Sequence, residues 1–228
     1  MNNKKLAEFI GIILGDGHLH KKQNTITIVG SLEDIHYYKK IVSPLIEELF
    51  DIKPTIKRRK DRNAYYIYFN SKKTMDYLTK EIGLIRGNKI NAIIPRLISK
   101  DKKLILHFLR GLFDTDGCLK FSKQLKEVNY YPRIRLAFRE SNFTLEIKEL
   151  ISKMDFNFSM WKSDRFNGGV IYERSGNKNL EKWFKIIKPN NPVHTSKYYF
   201  WKKYGHYIPR SSLKSRINSL NLKIDTFH

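Results

Sequence analysis

One short segment occurs twice in this chain, 100 residues apart. Residues 9–17 read Phe-Ile-Gly-Ile-Ile-Leu-Gly-Asp-Gly, and residues 109–117 read Leu-Arg-Gly-Leu-Phe-Asp-Thr-Asp-Gly. Each copy is an apolar run with a glycine at its third position and Asp-Gly at its end, which is typical of a short buried helix. A repeat of this kind predicts two similar helices, and therefore a chain that is built from two similar halves.

Small residues lie on one face of each predicted helix. Gly11 and Gly15 are four residues apart, and Gly111 and Thr115 occupy the matching positions in the second copy. Small side chains let two helices approach more closely than the usual axial distance of about 8–10 Å. We therefore predict that these two helices, the motif helices, pack backbone to backbone through Gly11, Gly15, Gly111 and Thr115 along a shared seam.

Asp16 and Asp116 would then meet at one end of the seam, with Gly17 and Gly117 as the left-handed residues that end each helix. A carboxylate at a helix C-terminus is disfavoured by about 0.3–1 kcal/mol, and two neighbouring carboxylates also repel each other. A divalent cation reverses this balance, because it binds carboxylates and the unpaired carbonyls of a helix end. The predicted metal ligands are Asp16, Asp116 and the residues before them, Gly15 and Thr115.

Both segments resemble the LAGLIDADG motif of homing endonucleases, and their duplication resembles the single-chain, two-motif members of that family. The eighth position of each motif, which is the metal-binding acid of the family, is Asp16 or Asp116. The sixth position is acidic in the second copy, at Asp114, but is Leu14 in the first. The resemblance implies an α+β fold of two pseudo-symmetric αββαββα halves, in which each antiparallel sheet forms half of a DNA-binding saddle.

The segments between the motifs repeat in the same order. The first half predicts helices over about 4–16, 32–50 (with Pro44 bending or interrupting it) and 72–82, and strands over about 25–29, 54–60 and 64–70. The second half predicts helices over 102–116, 142–154 and 178–187, and strands near 118–123, 131–139, 158–163 and 169–174. We place the boundary between the halves at residues 1–101 and 102–228.

The chain is strongly basic. It has 44 Lys and Arg against 22 Asp and Glu, a net charge of +22, which indicates a partner that is a nucleic acid. A membrane partner is not expected, because no long apolar span or signal peptide is visible. Cys118 is the single cysteine, so an internal disulfide is excluded and an intracellular protein, from a prokaryotic cytoplasm or an organelle, is expected.

The predicted strands carry polar and aromatic residues on one face. In 132–139, Arg133, Arg135 and Arg139 alternate with apolar residues, so that they share a face. A β-ribbon can enter the major groove of DNA. The predicted DNA-binding residues are Lys21, Gln23, Asn24, Thr27, Arg59, Arg62, Tyr66, Tyr68, Lys120, Lys123, Gln124, Arg133, Arg135, Arg139, Lys162 and Arg165. The alternative, a solvated strand face with salt bridges, stays open for each basic residue, but acids are too few for the whole set.

The resemblance also implies an activity. It implies a monomer that hydrolyses both strands of a long asymmetric duplex, as in intron homing, with Mg²⁺ or, in its place, Mn²⁺. Family members often place a lysine near each scissile phosphate, and Lys89 and Lys197 are the candidates here. Two alternatives remain: a splicing cofactor (a maturase) that binds intron RNA, and a DNA-binding regulator that keeps the motifs only for packing.

Overall fold

The computed structural model describes residues 2–163 and 168–223. The first half contains α1 (Asn3–Leu14), β1 (Gly17–Leu19), β2 (Thr25–Ser31), α2 (Ile35–Tyr37), α3 (Ser43–Phe50), β3 (Thr55–Arg59), β4 (Ala64–Asn70), α4 (Lys72–Asp76) and α5 (Arg96–Ser99). The second half contains α6 (Lys102–Asp116), β5 (Gly117–Ser122), β6 (Tyr131–Arg139), α7 (Asn142–Lys153), β7 (Ser159–Ser163), β8 (Gly169–Ser175), α8 (Asn177–Ile186), α9 (Pro192–Tyr204) and α10 (Leu213–Leu220). Within the described ranges, no helix is both long and apolar enough to cross a membrane.

The two halves have the same sheet topology. The first sheet has the strand order β1-β2-β4-β3 and the second has β5-β6-β8-β7, and every pairing is antiparallel. One face of each sheet buries its apolar residues against the helices, and we call the opposite face the open face. The predicted fold class, α+β with two similar halves, is confirmed.

Pro44 interrupts the long helical segment of the first half, as predicted. The segment continues from α2 through a π-helical stretch at Tyr38–Val42 into α3, where Pro44 occupies the first turn. Proline lacks the N–H that would bond to the carbonyl four residues earlier, so regular α-helix cannot run through this point. The wider π-helical turn before Pro44 accommodates the loss of this hydrogen bond.

Four elements were not predicted from the sequence, namely β1, α5, α9 and α10. Strand β1 is only three residues long and directly follows the first motif, so it shows no alternation. Helix α9 begins at Pro192, and the Asn191 side chain caps it. Asn followed by Pro is a helix-start signal that could have predicted α9. Helix α10 was also missed.

The glycines that follow the aspartates are not left-handed, which corrects the expectation for Gly17 and Gly117. Gly117 is extended, with φ −75° and ψ 156°, and Gly17 begins β1. Both are glycine because the chain folds tightly back on its helix. A Cβ at Gly17 would lie 2.5 Å from the Cα of Ile13, and one at Gly117 would overlap the Phe113 carbonyl.

The two motif helices, α1 and α6, pack backbone to backbone. A Cβ at Gly11 would overlap the carbonyl oxygen of Phe108, and one at Gly111 would overlap that of Glu8. At the end of the seam, a Cβ at Gly15 would overlap the Thr115 side chain. Only small residues therefore allow this approach, which brings the two aspartates to the same end of the seam.

The last helices of the chain reach back to the first half. The backbone N–H of Leu213, at the start of α10, donates to Glu33 over 2.6 Å. The buried Arg216 donates to Ser196 Oγ over 2.9 Å and lies 3.8 Å from Glu33. Helix α10 thus contacts residues of the first half. The division into 1–101 and 102–228 stays a prediction that rests on the sequence repeat.

Candidate metal and nucleic-acid site

Asp16 and Asp116 lie together at the end of the seam. Asp16 follows the last residue of α1 by two positions, and Asp116 is the last residue of α6. Burial, together with the charge of Asp116, raises the pKa of Asp16 from 3.8 to about 7. Burial likewise raises the pKa of Asp116 from 3.8 to about 6. Two carboxyls with raised pKa values in one place are a candidate functional site, because this arrangement disfavours their charged forms.

Lys89 places a positive charge in the same site. Its ammonium donates to the carbonyl oxygens of Leu14 (3.0 Å), Ile13 (3.4 Å) and Gly15, which end helix α1. Its charge lowers the pKa of both aspartates, while burial lowers the pKa of Lys89 itself. A buried cation at the carbonyl end of a helix is favourable, because the helix dipole is negative there.

The arrangement fits a divalent cation. Among the described residues, no group of three or more His, Cys, Asp and Glu side chains could hold a metal. A cation at this position would therefore have the two carboxylates and nearby backbone carbonyls as its protein donors. Mg²⁺ suits such a sparse oxygen site, because water and substrate phosphate complete its shell. The Lys89 ammonium donates a hydrogen bond to the carbonyl oxygen of Gly15, which shows that this position favours positive charge.

Other residues of the second motif have structural roles. The Thr115 hydroxyl donates to the Gly111 carbonyl over 2.9 Å within α6. Asp114 is buried and accepts hydrogen bonds from the backbone N–H groups of Asn190 (2.8 Å) and Asn191 (3.1 Å). Burial raises the pKa of Asp114 well above its ordinary value. Asp114 therefore holds the segment before α9 in place. It is not a third member of the acidic pair formed by Asp16 and Asp116.

Lys197 lies in α9. Burial of His194, together with the charge of Lys197, lowers the pKa of that histidine. Of the two predicted lysines, Lys89 is the one whose charge acts on both Asp16 and Asp116. Within the described part of the chain, no interaction joins Lys197 to either aspartate. Its catalytic role stays a prediction.

The open face of the first sheet is aromatic and polar. Thr27 pairs with Tyr68 across the strands, and Tyr66 and Tyr68 stack with their ring centroids 5.5 Å apart. His20 Nε2 lies 3.1 Å from Thr27 Oγ1. A concavity on this face is lined by His18, His20, Thr27, Val29, Arg58, Arg59, Lys60, Asp61 and Tyr66. The strand-like spacing of His18 and His20 agrees with their position in and beside β1, although neither is among the predicted DNA-binding residues.

The open face of the second sheet carries the predicted arginines. Arg133 and Arg135 alternate with the buried Ile134 and Leu136, as predicted. Both arginines, however, are paired with the buried Glu173, at 2.6 Å for Arg133 Nη1. The salt-bridged alternative, which the sequence left open for each basic residue, therefore holds for these two arginines, since one carboxylate accepts from both.

The remaining predicted DNA-binding residues are paired, exposed or both. Arg59 pairs with Asp61 at 2.8 Å, Lys162 with Glu140 at 2.8 Å and Lys123 with Glu127 at 3.4 Å. Arg62 lies 3.8 Å from Asp61, and Asn24 accepts a hydrogen bond from Arg86 over 3.2 Å. The exposed members, three of which are also paired, are Lys21, Gln23, Arg62, Lys120, Lys123, Gln124, Arg139 and Lys162. Arg165 lies outside the described residues.

The raised pKa values predict how stability depends on pH. Asp16 and Asp116 have pKa values of about 7 and about 6 when folded, against 3.8 ordinarily. The folded protein therefore binds more protons than the unfolded chain in this window, and the free energy of unfolding contributed by these groups falls as the pH rises from about 4 to 7. We expect metal-free Asp16→Asn to be more stable than the wild type at about pH 8, with the difference vanishing near pH 4. Thermal unfolding in a chelator across this range checks it, and parallel curves would contradict it.

The comparisons with known proteins bear on the fold. No family model matches the chain. Over 209 residues, or 83% of this chain, it is 32% identical to the replication factor C small subunit of Methanocaldococcus jannaschii. That match covers 10% of the relative, so the chain spans about a tenth of that protein's length.

Solved structures match over most of the chain. A structure of mesophilic variants of the homing endonuclease I-DmoI has a TM-score of 0.55 and 18% identity, and covers 81% of this chain and 89% of that one. A variant of I-DmoI in complex with its target DNA and Mn has a TM-score of 0.57 and 16% identity, with coverage of 83% and 96%. The N-terminal LAGLIDADG domain of WhiA has a TM-score of 0.55 and 14% identity, with 81% of both chains covered.

Because the sequence identities are low, these similarities establish the fold alone. The chain is a LAGLIDADG-fold protein, with two similar four-stranded halves joined through the motif helices. The fold that the resemblance of the two motifs implied is thereby confirmed. The chemistry of the site has to be argued from the residues themselves.

Proposed function

We propose that this protein is a site-specific endonuclease that binds a long, asymmetric DNA duplex and cuts both strands by metal-dependent hydrolysis. The observation that carries the proposal is the pair of acids at the seam. Asp16 and Asp116 have pKa values raised to about 7 and about 6 in a protein of net charge +22. Two half-buried carboxyls that repel each other lower stability, which indicates that they are kept for a cation and a polyanion.

The residues suggest how the work is divided. Asp16 and Asp116 would hold Mg²⁺, or Mn²⁺ in its place, which when bound polarises the scissile phosphates and activates water for attack. Lys89 adds a fixed positive charge beside both carboxylates, where it would stabilise the charge that develops on a phosphate. The Lys89 ammonium is held by the carbonyls that end α1, so this group needs little reorganisation when DNA binds.

The two open faces support duplex binding on either side of the acids. The first presents stacked tyrosines, threonine and histidines, and the second presents arginines. Because the two faces differ in side chains, the sequence that they read would not be a palindrome. The chain supplies both motifs itself, so we propose that it acts as a monomer.

The proposal is tested with a large randomised duplex library that is incubated with protein and Mg²⁺, after which the cut ends are sequenced. We expect one long asymmetric site that is cut in both strands, and no cut in a chelator. Intact DNA combined with tight, salt-sensitive binding of a structured intron RNA would favour the maturase instead. Specific duplex binding without any nick, with or without metal, would favour a DNA-binding regulator.

A further inference from the structure

The open face of the second sheet contains a three-residue cluster, Arg133–Glu173–Arg135, which we call the arginine clasp. Glu173 is 6% exposed although it lies on the open face. Its Oε1 accepts hydrogen bonds from Arg133 Nη1 (2.6 Å) and Ser175 Oγ (3.1 Å), and its Oε2 accepts from Arg135 Nε. One carboxylate therefore holds both guanidinium groups in fixed positions.

The two arginines differ in which N–H groups remain free. Arg133 uses Nε, which donates to Ser122 Oγ over 3.1 Å, and Nη1, which donates to Glu173. Arg135 uses Nε alone, so that within the described residues its terminal Nη1 and Nη2 have no partner. Its guanidinium also lies 5.6 Å from the centre of the Trp161 ring. A complete two-nitrogen fork is thus left on Arg135 but not on Arg133.

We propose that Arg135 reads a guanine in the target through its Nη1–Nη2 fork, that Glu173 is its positioning residue, and that Arg133 contacts phosphate. This inference rests on the proposed function, since it assigns roles within the DNA-binding face. Guanine offers O6 and N7 as two adjacent acceptors in the major groove, which match a free fork. In Arg133 one of the two terminal nitrogens is already directed at Glu173, so its fork is less available to a base, but its charge still attracts phosphate.

The charges of the clasp favour the same assignment. Glu173 offsets one of the two positive charges, so the cluster attracts phosphate less than two unpaired arginines would. In return, the ion pair and the Trp161 ring restrict the rotamers of Arg135 before DNA binds. Pre-organisation of this kind raises specificity more than affinity, because fewer torsions are lost when the correct base is present.

Binding selections in Ca²⁺ without Mg²⁺, followed by sequencing of the bound duplexes, test the assignment. We expect Arg135→Ala to lose a guanine preference of about tenfold to a hundredfold at one position. Arg133→Ala is the matched control, and should weaken binding to all sequences and reduce the salt dependence by about one ion. Arg135→Lys keeps the charge without the fork, so it should lose the guanine preference while the salt dependence is unchanged.

Glu173→Gln separates positioning from charge. It keeps an acceptor for one arginine but frees the other, so we expect a weaker guanine preference at the same position together with stronger non-specific binding. Replacing that guanine with 7-deazaguanine should weaken binding by the wild type but not by Arg135→Ala. Melting curves of each variant confirm that the fold is retained, and Arg135→Lys serves if Arg135→Ala does not fold.

The outcomes separate the two levels of the proposal. Duplex binding with an unchanged guanine preference in both Arg135→Ala and Arg135→Lys would overturn the assignment alone. A position-specific loss in Arg133→Ala would reverse the roles of the two arginines and would also overturn it. A wild-type protein that binds no duplex would overturn the proposed function, and this assignment with it.

Discussion

Asp16→Asn and Asp116→Asn should each abolish double-strand cleavage while the duplex remains bound. Asparagine keeps the shape of the side chain but removes the negative charge that holds a divalent cation. The cation is expected to contribute several kcal/mol of transition-state stabilisation, so we expect cleavage to fall by about 10²–10³-fold or more. The measurement is single-turnover cleavage of the duplex recovered from the library, with binding measured separately in Ca²⁺.

The chain offers a matched control on the second motif helix. Asp101 is exposed and caps the start of α6 through a hydrogen bond from the N–H of Lys103 over 2.7 Å. Asparagine is an equally good cap, so Asp101→Asn should leave both stability and cleavage unchanged. Full cleavage by Asp16→Asn or by Asp116→Asn, at the Mg²⁺ concentration used for the wild type, would show that these acids do not form the metal site.

Adding a single methyl group at the seam should destabilise the whole protein. In an exposed helix, glycine to alanine is stabilising by about 1 kcal/mol. At Gly11 and Gly111, however, the added Cβ would overlap backbone oxygens of the opposite helix, and backbone cannot rotate away as a side chain can. Since overpacking costs about 1–3 kcal/mol even against side chains, we expect Gly11→Ala and Gly111→Ala to lose about 3 kcal/mol or more.

Chemical denaturation measures this effect, and Gly83→Ala provides its control. Gly83 has a φ of +87° with nothing within 4 Å of an added Cβ, so alanine there suffers only backbone strain of about 1–2 kcal/mol. Gly11→Ala and Gly111→Ala must also move the two aspartates apart. Any fraction of these variants that folds should therefore cleave DNA poorly. Seam variants that match Gly83→Ala in stability would mean that the motif helices are not packed so tightly in solution.

The repeat made most of the fold predictable. Small residues and Asp-Gly at matching positions indicated two packed helices, and alternation in 132–139 fixed both the strand and its arginine face. Short or unpatterned elements were missed for physical reasons. β1 has three residues, too few to show a period of two, and α9 mixes polar and apolar residues around its circumference.

The site was predictable in part, because sequence gives residue types and tertiary structure gives neighbours. The position of both aspartates followed from the repeat. Lys89 reaches the carbonyls of α1 from a turn more than seventy residues further along the chain, and no local pattern encodes that contact. Lys89 was a candidate only through the family resemblance, and Glu173 was not predicted at all, since its pairing with two arginines depends on the register between β6 and β8.

The most direct test of the central claim is Mn²⁺ binding to the protein–duplex complex, followed by electron paramagnetic resonance, because it does not depend on cleavage. The account predicts that the wild-type complex binds Mn²⁺ and that the double variant Asp16→Asn, Asp116→Asn, which still binds the duplex, does not. Equal Mn²⁺ binding by both complexes would contradict a metal site formed by the two acids at the seam.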